Sequence, residues 1–137
     1  MNKEVLEEFK ETLDELKEYS KMGIPIIVEG QKDEASLREI GITGPIITIS
    51  GMKLLEIAEM LEKEEIIVLT DFDRRGDKMA LTILSYRVGD STLTKYFRSK
   101  IRKLKAHITP CVEGFAKTYL KACRMEKTYK NPFRRLN

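Results

Sequence analysis

The sequence predicts an α/β domain: a single Rossmann-like three-layer fold with a mainly parallel sheet of about four strands and helices on both faces. Three observations carry this. Branched apolar runs recur at Ile24-Pro25-Ile26-Ile27-Val28, Ile46-Ile47-Thr48-Ile49 and Ile66-Ile67-Val68-Leu69-Thr70. Between them lie stretches of helical apolar periodicity, so strand and helix alternate. Unbroken β-branched runs mark strands buried on both faces, and the alternation implies right-handed crossovers in a parallel sheet. Third, 137 residues at 42% hydrophobic make one ordinary domain, able to bury roughly two thirds of its unfolded surface. No repeat or low-complexity linker divides residues 1–137.

Each element follows from local pattern. Val5, Phe9, Leu13 and Leu16 form the core-facing stripe of an N-terminal helix over residues 1–21, stopped near Met22-Gly23. After the first strand, Glu29-Gly30 forms its carboxyl-end loop, and Asp33–Ile40 reads as a short helix stopped by Gly41. The second strand follows Gly44-Pro45; Ser50-Gly51 then leads into a helix over Lys53–Lys63, with Leu54, Ile57, Ala58 and Leu61 on one face. The third strand runs into the acidic loop of Asp71 and Asp73, followed by a helix from about Gly76 to Val88. Beyond Gly89-Asp90-Ser91 a basic helical stretch is expected, then a fourth short strand at Ala106-His107-Ile108-Thr109 and a last helix over Val112–Cys123.

Composition excludes several classes. The apolar runs are far shorter than the roughly 20 residues of a membrane span, and Met1-Asn2-Lys3-Glu4 opens straight into an amphipathic helix. A soluble, cytoplasmic protein without membrane contact is expected. Cys111 and Cys123 support neither a disulfide framework nor a zinc ribbon, and His107 with Cys111 supplies too few ligands for a metal site. No nucleophilic triad is recognisable.

Charge is uneven. Residues 1–91 carry 12 basic and 20 acidic side chains, whereas residues 92–137 carry 13 basic against only Glu113 and Glu126. Such a segment attracts phosphate backbones through counterion release. Tyr96, Phe97, Tyr119, Tyr129 and Phe133 are interleaved with these charges and offer faces for base stacking. The competing reading is a set of solvated helix faces that balance the acidic first part of the chain.

The chemistry is carried by Glu29, Asp71 and Asp73. In an open parallel sheet ligands bind beyond the carboxyl ends of the strands, where strand order reverses. If the first and third strands are neighbours, their ends deliver three carboxylates to one point. Magnesium wants hard oxygen ligands and takes one or two carboxylates with waters and phosphate oxygens. Strand alternation sets Asp71 and Asp73 on one side with Phe72 turned into packing. Two ions about 4 Å apart would clamp attacking and leaving oxygens. The alternative is that strand-end aspartates form turns and cap helices. A receiver-like phosphoacceptor domain would want its acidic pair after the first strand, the reverse of this order.

Val28-Glu29-Gly30-Gln31-Lys32-Asp33 and Thr70-Asp71-Phe72-Asp73-Arg74-Arg75-Gly76 together resemble the Toprim domain shared by topoisomerases, bacterial-type primases, recombination-repair proteins and certain nucleases. The similarity spans residues 22–110, flanked by the N-terminal helix and by a basic C-terminal helix and tail at 111–137. It is strongest to small stand-alone Toprim proteins and to the ribonuclease that matures small ribosomal RNA, where Val112-Glu113 echoes a later Val-Glu pair. The resemblance implies that Glu29 is the catalytic acid/base and a metal ligand, and that Asp71 and Asp73 hold one or two Mg2+ ions, with Mn2+ as substitute. Arg75 stands where the topoisomerase pattern has a glutamate, and the chain lacks room for a tyrosine-bearing or priming module. What remains is magnesium-dependent cleavage or transfer of RNA or DNA phosphodiesters, or a non-catalytic metal-binding module serving a protein partner.

Supporting residues surround the three acids. Gly30 and Gly51 allow close backbone approach to a phosphate, though each also suits an ordinary turn. Asp33 either caps the following helix or orients the ligands, and Asp77 near its helix start is favoured by the dipole. Arg74 and Arg75 either grip a substrate phosphate or pair with local acids.

Overall fold

Helix and strand alternate through the first two thirds of the chain in a computed structural model, which describes residues 2–89 and 91–130, residues 128–130 as backbone only. The order is α1 (Lys3–Lys21), β1 (Ile26–Val28), α2 (Gln31–Ile40), β2 (Ile46–Thr48), α3 (Leu54–Met60), β3 (Ile67–Val68), α4 (Arg74–Ser85), α5 (Thr92–Leu104), one 3-10 turn (Val112–Gly114) and α6 (Phe115–Lys130). Asp90, Phe133, Arg134 and Arg135, and the side chains of Tyr129 and Lys130, lie outside the described residues.

The sheet is parallel and ordered β2-β1-β3, with Ile26 opposite both Ile46 and Ile67. β1 is therefore the centre, and Ile26, Ile27 and Val28 are fully buried. Alternating side chains feed two cores. Ile26 and Val28 join Phe9, Leu13, Phe97 and Phe115 on the side of α1, α2, α5 and α6, while Ile27 and Val68 join Ile57, Ala58, Ala80 and Ile83 beneath α3 and α4. Helices thus cover both faces, as the continuous apolar strands require.

Several boundaries move for local reasons. α2 begins at Gln31 because the Asp33 carboxylate accepts the Gly30 N–H at 3.0 Å, closing a cap at the helix start. α4 begins at Arg74 because Asp73 caps it, and it ends at Ser85, leaving Val88 beyond it and 85% exposed. α3 stops at Met60, short of Lys63.

The expected fourth strand is absent from the described residues. Ala106–Thr109 instead coils off the end of α5, with the His107 and Ile108 N–H groups donating to the Leu104 carbonyl. The physical reason lies at the edge of β3. Thr94 on α5 donates its hydroxyl to the Ile66 carbonyl at 2.8 Å and accepts the Val68 N–H at 3.1 Å, while Arg98 donates to the Val68 and Thr70 carbonyls. Side chains from a helix satisfy the edge groups that a fourth strand would otherwise pair, so the edge is closed without one.

Two of the aromatic residues expected to stack on bases belong to the core. Phe97 is fully buried and Tyr119 nearly so, its hydroxyl donating to Asp14 Oδ1 at 2.6 Å across the α1–α6 contact. Tyr96 is exposed and donates its hydroxyl to Glu15 at 2.6 Å.

Candidate metal centre

The central strand β1 and the edge strand β3 are neighbours, and strand order reverses between them. Glu29 and Asp71 therefore emerge side by side. Glu29 Oε2 accepts the Asp71 N–H at 2.7 Å, so the side chain at the end of β1 grips the backbone at the end of β3. From the other side, the Ser50 N–H and hydroxyl both donate to the Glu29 carbonyl, at 3.2 and 2.9 Å. Burial pushes the half-buried Glu29 carboxyl above its ordinary value, an effect opposed by the Asp71 N–H and by the charge of Arg75.

Asp71 is fixed on three sides. Its Oδ1 accepts the Val112 N–H at 2.9 Å, its carbonyl accepts from Arg98 Nη2 at 3.1 Å, and the next N–H, of Phe72, donates to the Pro110 carbonyl at 2.8 Å. Phe72 is wholly buried, stacked 6.0 Å from Phe115, so it turns away from the carboxylates as strand alternation requires. The 3-10 turn at Val112–Gly114 thus belongs to the centre, and the Glu113 charge acts on Asp33 beside it.

Asp73 is placed differently. It is exposed, and its Oδ1 accepts the Gly76 N–H at 2.7 Å as the N-cap of α4, the role that strand-end aspartates commonly take. Among the described residues no three His, Cys, Asp or Glu side chains converge closely enough to enclose a metal ion. The pair brought together is Glu29 with Asp71. Each has one oxygen on a backbone N–H and a second oxygen beyond that bond. Such an all-oxygen, partly solvated donor set fits a hard cation that takes one or two carboxylates and completes its shell with water and phosphate, and does not form an all-protein cage.

The supporting residues divide sharply. Asp33 is buried and serves as the cap of α2, its carboxyl pushed up by burial. Gly30, at φ −154 and ψ −176, has extended backbone open to any residue, whereas Gly51, at φ +80, occupies the turn after β2 in a conformation that favours glycine. Arg74 and Arg75 are exposed on the first turn of α4. Asp77 faces away from the acids: Arg98 reaches it at 2.7 Å and Arg102 forks onto it at 2.9 and 2.5 Å, pulling its carboxyl down to about 2. His107 and Cys111 are both exposed.

Two residues that organise the centre are not among the candidate site residues of the sequence reading. Arg98, counted there among cations for nucleic acid, is 7% exposed; it binds the Val68, Thr70 and Asp71 carbonyls, the Thr70 hydroxyl and Asp77, with its guanidinium 4.3 Å from the Phe72 ring centroid. Its signal is positional, since Thr94, Phe97, Arg98, Ile101 and Leu104 all fall on the buried stripe of α5. Gly76 is the second. A Cβ there would stand 1.9 Å from the Asp71 carbonyl oxygen, so glycine alone lets α4 start against the loop. Its signal is a glycine three residues after the cap, inside a helix that gains nothing from it.

A parallel sheet with acids at its switch point and helices on both faces defines a class, and the family model described as the Toprim domain matches residues 24–108. The chain belongs to the Toprim family, the metal-binding modules of nucleases and primases. Within it the chain belongs with the UPF0292 proteins. It is 34% identical over 127 residues to the UPF0292 protein of Methanosarcina barkeri, covering 90% of this chain and 88% of the relative. To that of Pyrococcus furiosus it is 35% identical over 120 residues, 87% of each. A solved structure from Aquifex aeolicus aligns at TM-score 0.52 and 25% identity, covering 67% of this chain and 90% of the other. No described helix is long and apolar enough to cross a membrane.

Proposed function

We propose that the chain is a magnesium-dependent enzyme that cleaves or transfers nucleic-acid phosphodiesters, with Glu29 and Asp71 as the primary carboxylate ligands. The observation that carries this reading is the bond from the Asp71 N–H to Glu29 Oε2, which draws both acids together at the switch point of the sheet. When bound, the ion would polarise a phosphoryl oxygen and supply an activated water. Glu29 holds or releases the proton of the reacting oxygen, since burial already favours its protonated form. Asp73 is the outer carboxylate: one oxygen is committed to the α4 cap, and the other remains for a second ion or its water. Arg75, whose charge reaches Glu29, and Arg74 beside it are exposed for a substrate phosphate. The strand's backbone runs over exposed cations of the C-terminal third, among them Lys117 and Lys121.

A second reading, a metal-binding module that holds nucleic acid for a partner, draws on the lack of a three-acid cluster among the described residues. Incubating the purified protein with labelled structured RNA, duplex DNA and single strands, with magnesium, manganese or chelator, separates the two. Metal-dependent strand cleavage that Glu29→Gln abolishes supports the enzyme. Salt-sensitive binding without cleavage in any condition refutes it in favour of the module.

A further inference from the structure

Outside the acidic centre the described surface holds a cavity of about 450 Å³ between α4 and α5. Its wall is apolar, formed by Ala80, Leu81 and Leu84, and Leu81 is 69% exposed, with nothing among the described residues covering it. Lys95 stands at its rim, exposed, and Arg102 and Asp77 close the end nearest the centre. From Asp77 to Leu84 the groove runs along α4 for about 10 Å, at 1.5 Å per residue. Asp77 is a single anion shared by the two cations Arg98 and Arg102, so with Lys95 the lining remains positive.

The groove also adjoins the acidic centre directly. Arg98 Nη2 bonds both Asp77 Oδ1 and the Asp71 carbonyl, so one buried guanidinium forms the partition between them. Ligand sites of this size are mostly apolar with a few convergent polar groups. An apolar wall facing a cationic rim complements a molecule with one flat, weakly polar face and one anionic group. A nucleotide has that composition: base and sugar on one side, phosphate on the other.

We infer that the α4–α5 groove seats one nucleotide unit of a single strand that continues into the metal centre, with its phosphate against Lys95 and its base or sugar against Leu81 and Leu84. This rests on the reading above that a nucleic-acid strand is the substrate, and adds where a neighbouring unit of that strand is held.

The test measures binding without cleavage, on the full chain in chelator. A fluorescent single-stranded hexanucleotide is titrated by anisotropy at several salt concentrations, with Lys95→Ala and Leu81→Asp compared with wild type after thermal melts confirm folding. Leu81→Asp should weaken binding about tenfold, the scale of one lost base contact. Lys95→Ala should weaken it less and lower the salt slope by about 1, as loss of one phosphate contact does. A nucleoside monophosphate should displace the probe at concentrations where inorganic phosphate does not. Unchanged affinity and slope in both folded variants overturns the subsite, even if Glu29→Gln abolishes cleavage and the enzymatic reading stands. Weakened binding in both variants, with cleavage absent in every metal, keeps the subsite and rejects the enzyme. Sedimentation that shows Leu81→Asp dissociating an oligomer overturns the subsite, because the groove is then a contact between copies.

Discussion

α5 and α6 come from the same basic third of the chain, yet their cations do opposite work. On α5 Arg98 turns inward under the loop of Asp71, while the exposed Arg102 pairs with Asp77 and Lys100 lies 3.9 Å from Glu15. On α6, Lys117, Lys121 and Lys127 stand exposed. The difference comes from what each helix covers. α5 lies along an open sheet edge whose carbonyls demand donors, and an arginine fork reaches three of them at once. α6 packs against α1 and α2, where the demand is for apolar volume met by Phe115, Ala116 and Tyr119. A run of positive charge is therefore not a surface until the acceptors beneath it have been counted.

The sharpest way to break the contrast is Arg98→Met. Removing the guanidinium strands the Val68, Thr70 and Asp71 carbonyls and one partner of Asp77, and should cost about 3–5 kcal/mol in urea unfolding. Arg98→Lys should recover only part, because an ammonium lacks the fork. An Arg98→Met protein as stable as wild type would erase the distinction between the two helices.

Gly76→Ala comes next. In an ordinary helix interior alanine gains up to about 1 kcal/mol over glycine. Here the methyl would collide with the Asp71 carbonyl, so the expected outcome is a loss of about 1–3 kcal/mol, the scale of overpacking, together with weaker magnesium binding by calorimetry. A stabilised variant would show that the loop yields easily.

Asp77→Asn should cost less, about 1 kcal/mol after allowance for solvent screening. Its sign with pH is set by Arg102 and Arg98, which hold the folded carboxyl near 2 against an ordinary 3.8. The contribution is complete above the unfolded value and disappears as pH falls toward 2. Melts of wild type and variant should therefore converge between pH 4 and pH 2. Parallel curves there would mean the ion pairs add nothing.

The smallest stability effect is expected on α6. Lys117→Glu with Lys121→Glu should change unfolding free energy by less than about 0.5 kcal/mol per site. Their effect should appear instead in weaker, less salt-dependent nucleic-acid binding. A large melt shift would mean these cations are as structural as Arg98.

The legible part of the molecule was what local chemistry dictates. The three branched apolar runs became the three strands, and because the first and third are parallel neighbours, Glu29 and Asp71 meet as their positions after those strands require. Phe72 turned inward for the same reason. The illegible part depends on groups distant in sequence. Nothing near Ala106–Thr109 announces that Thr94 and Arg98 have already satisfied the β3 edge, and so a strand was expected where a coil stands. Asp73 has two uses that the sequence leaves open; it caps α4 through one oxygen because the helix begins at Arg74, and that start is not legible locally. Phe97 and Tyr119 resemble exposed stacking residues only while the faces of α5 and α6 are unknown.

The bonds from the Phe72 N–H to the Pro110 carbonyl and from the Val112 N–H to the Asp71 carboxylate also set a timetable. As the chain emerges from its amino end, both acids are available long before the segment that orients Asp71 has been made. A nascent chain that has reached α4 holds both acids without the geometry of the centre. The centre takes its geometry only after the 3-10 turn has folded back, so the orientation of Asp71 waits on a residue 41 positions further along the chain.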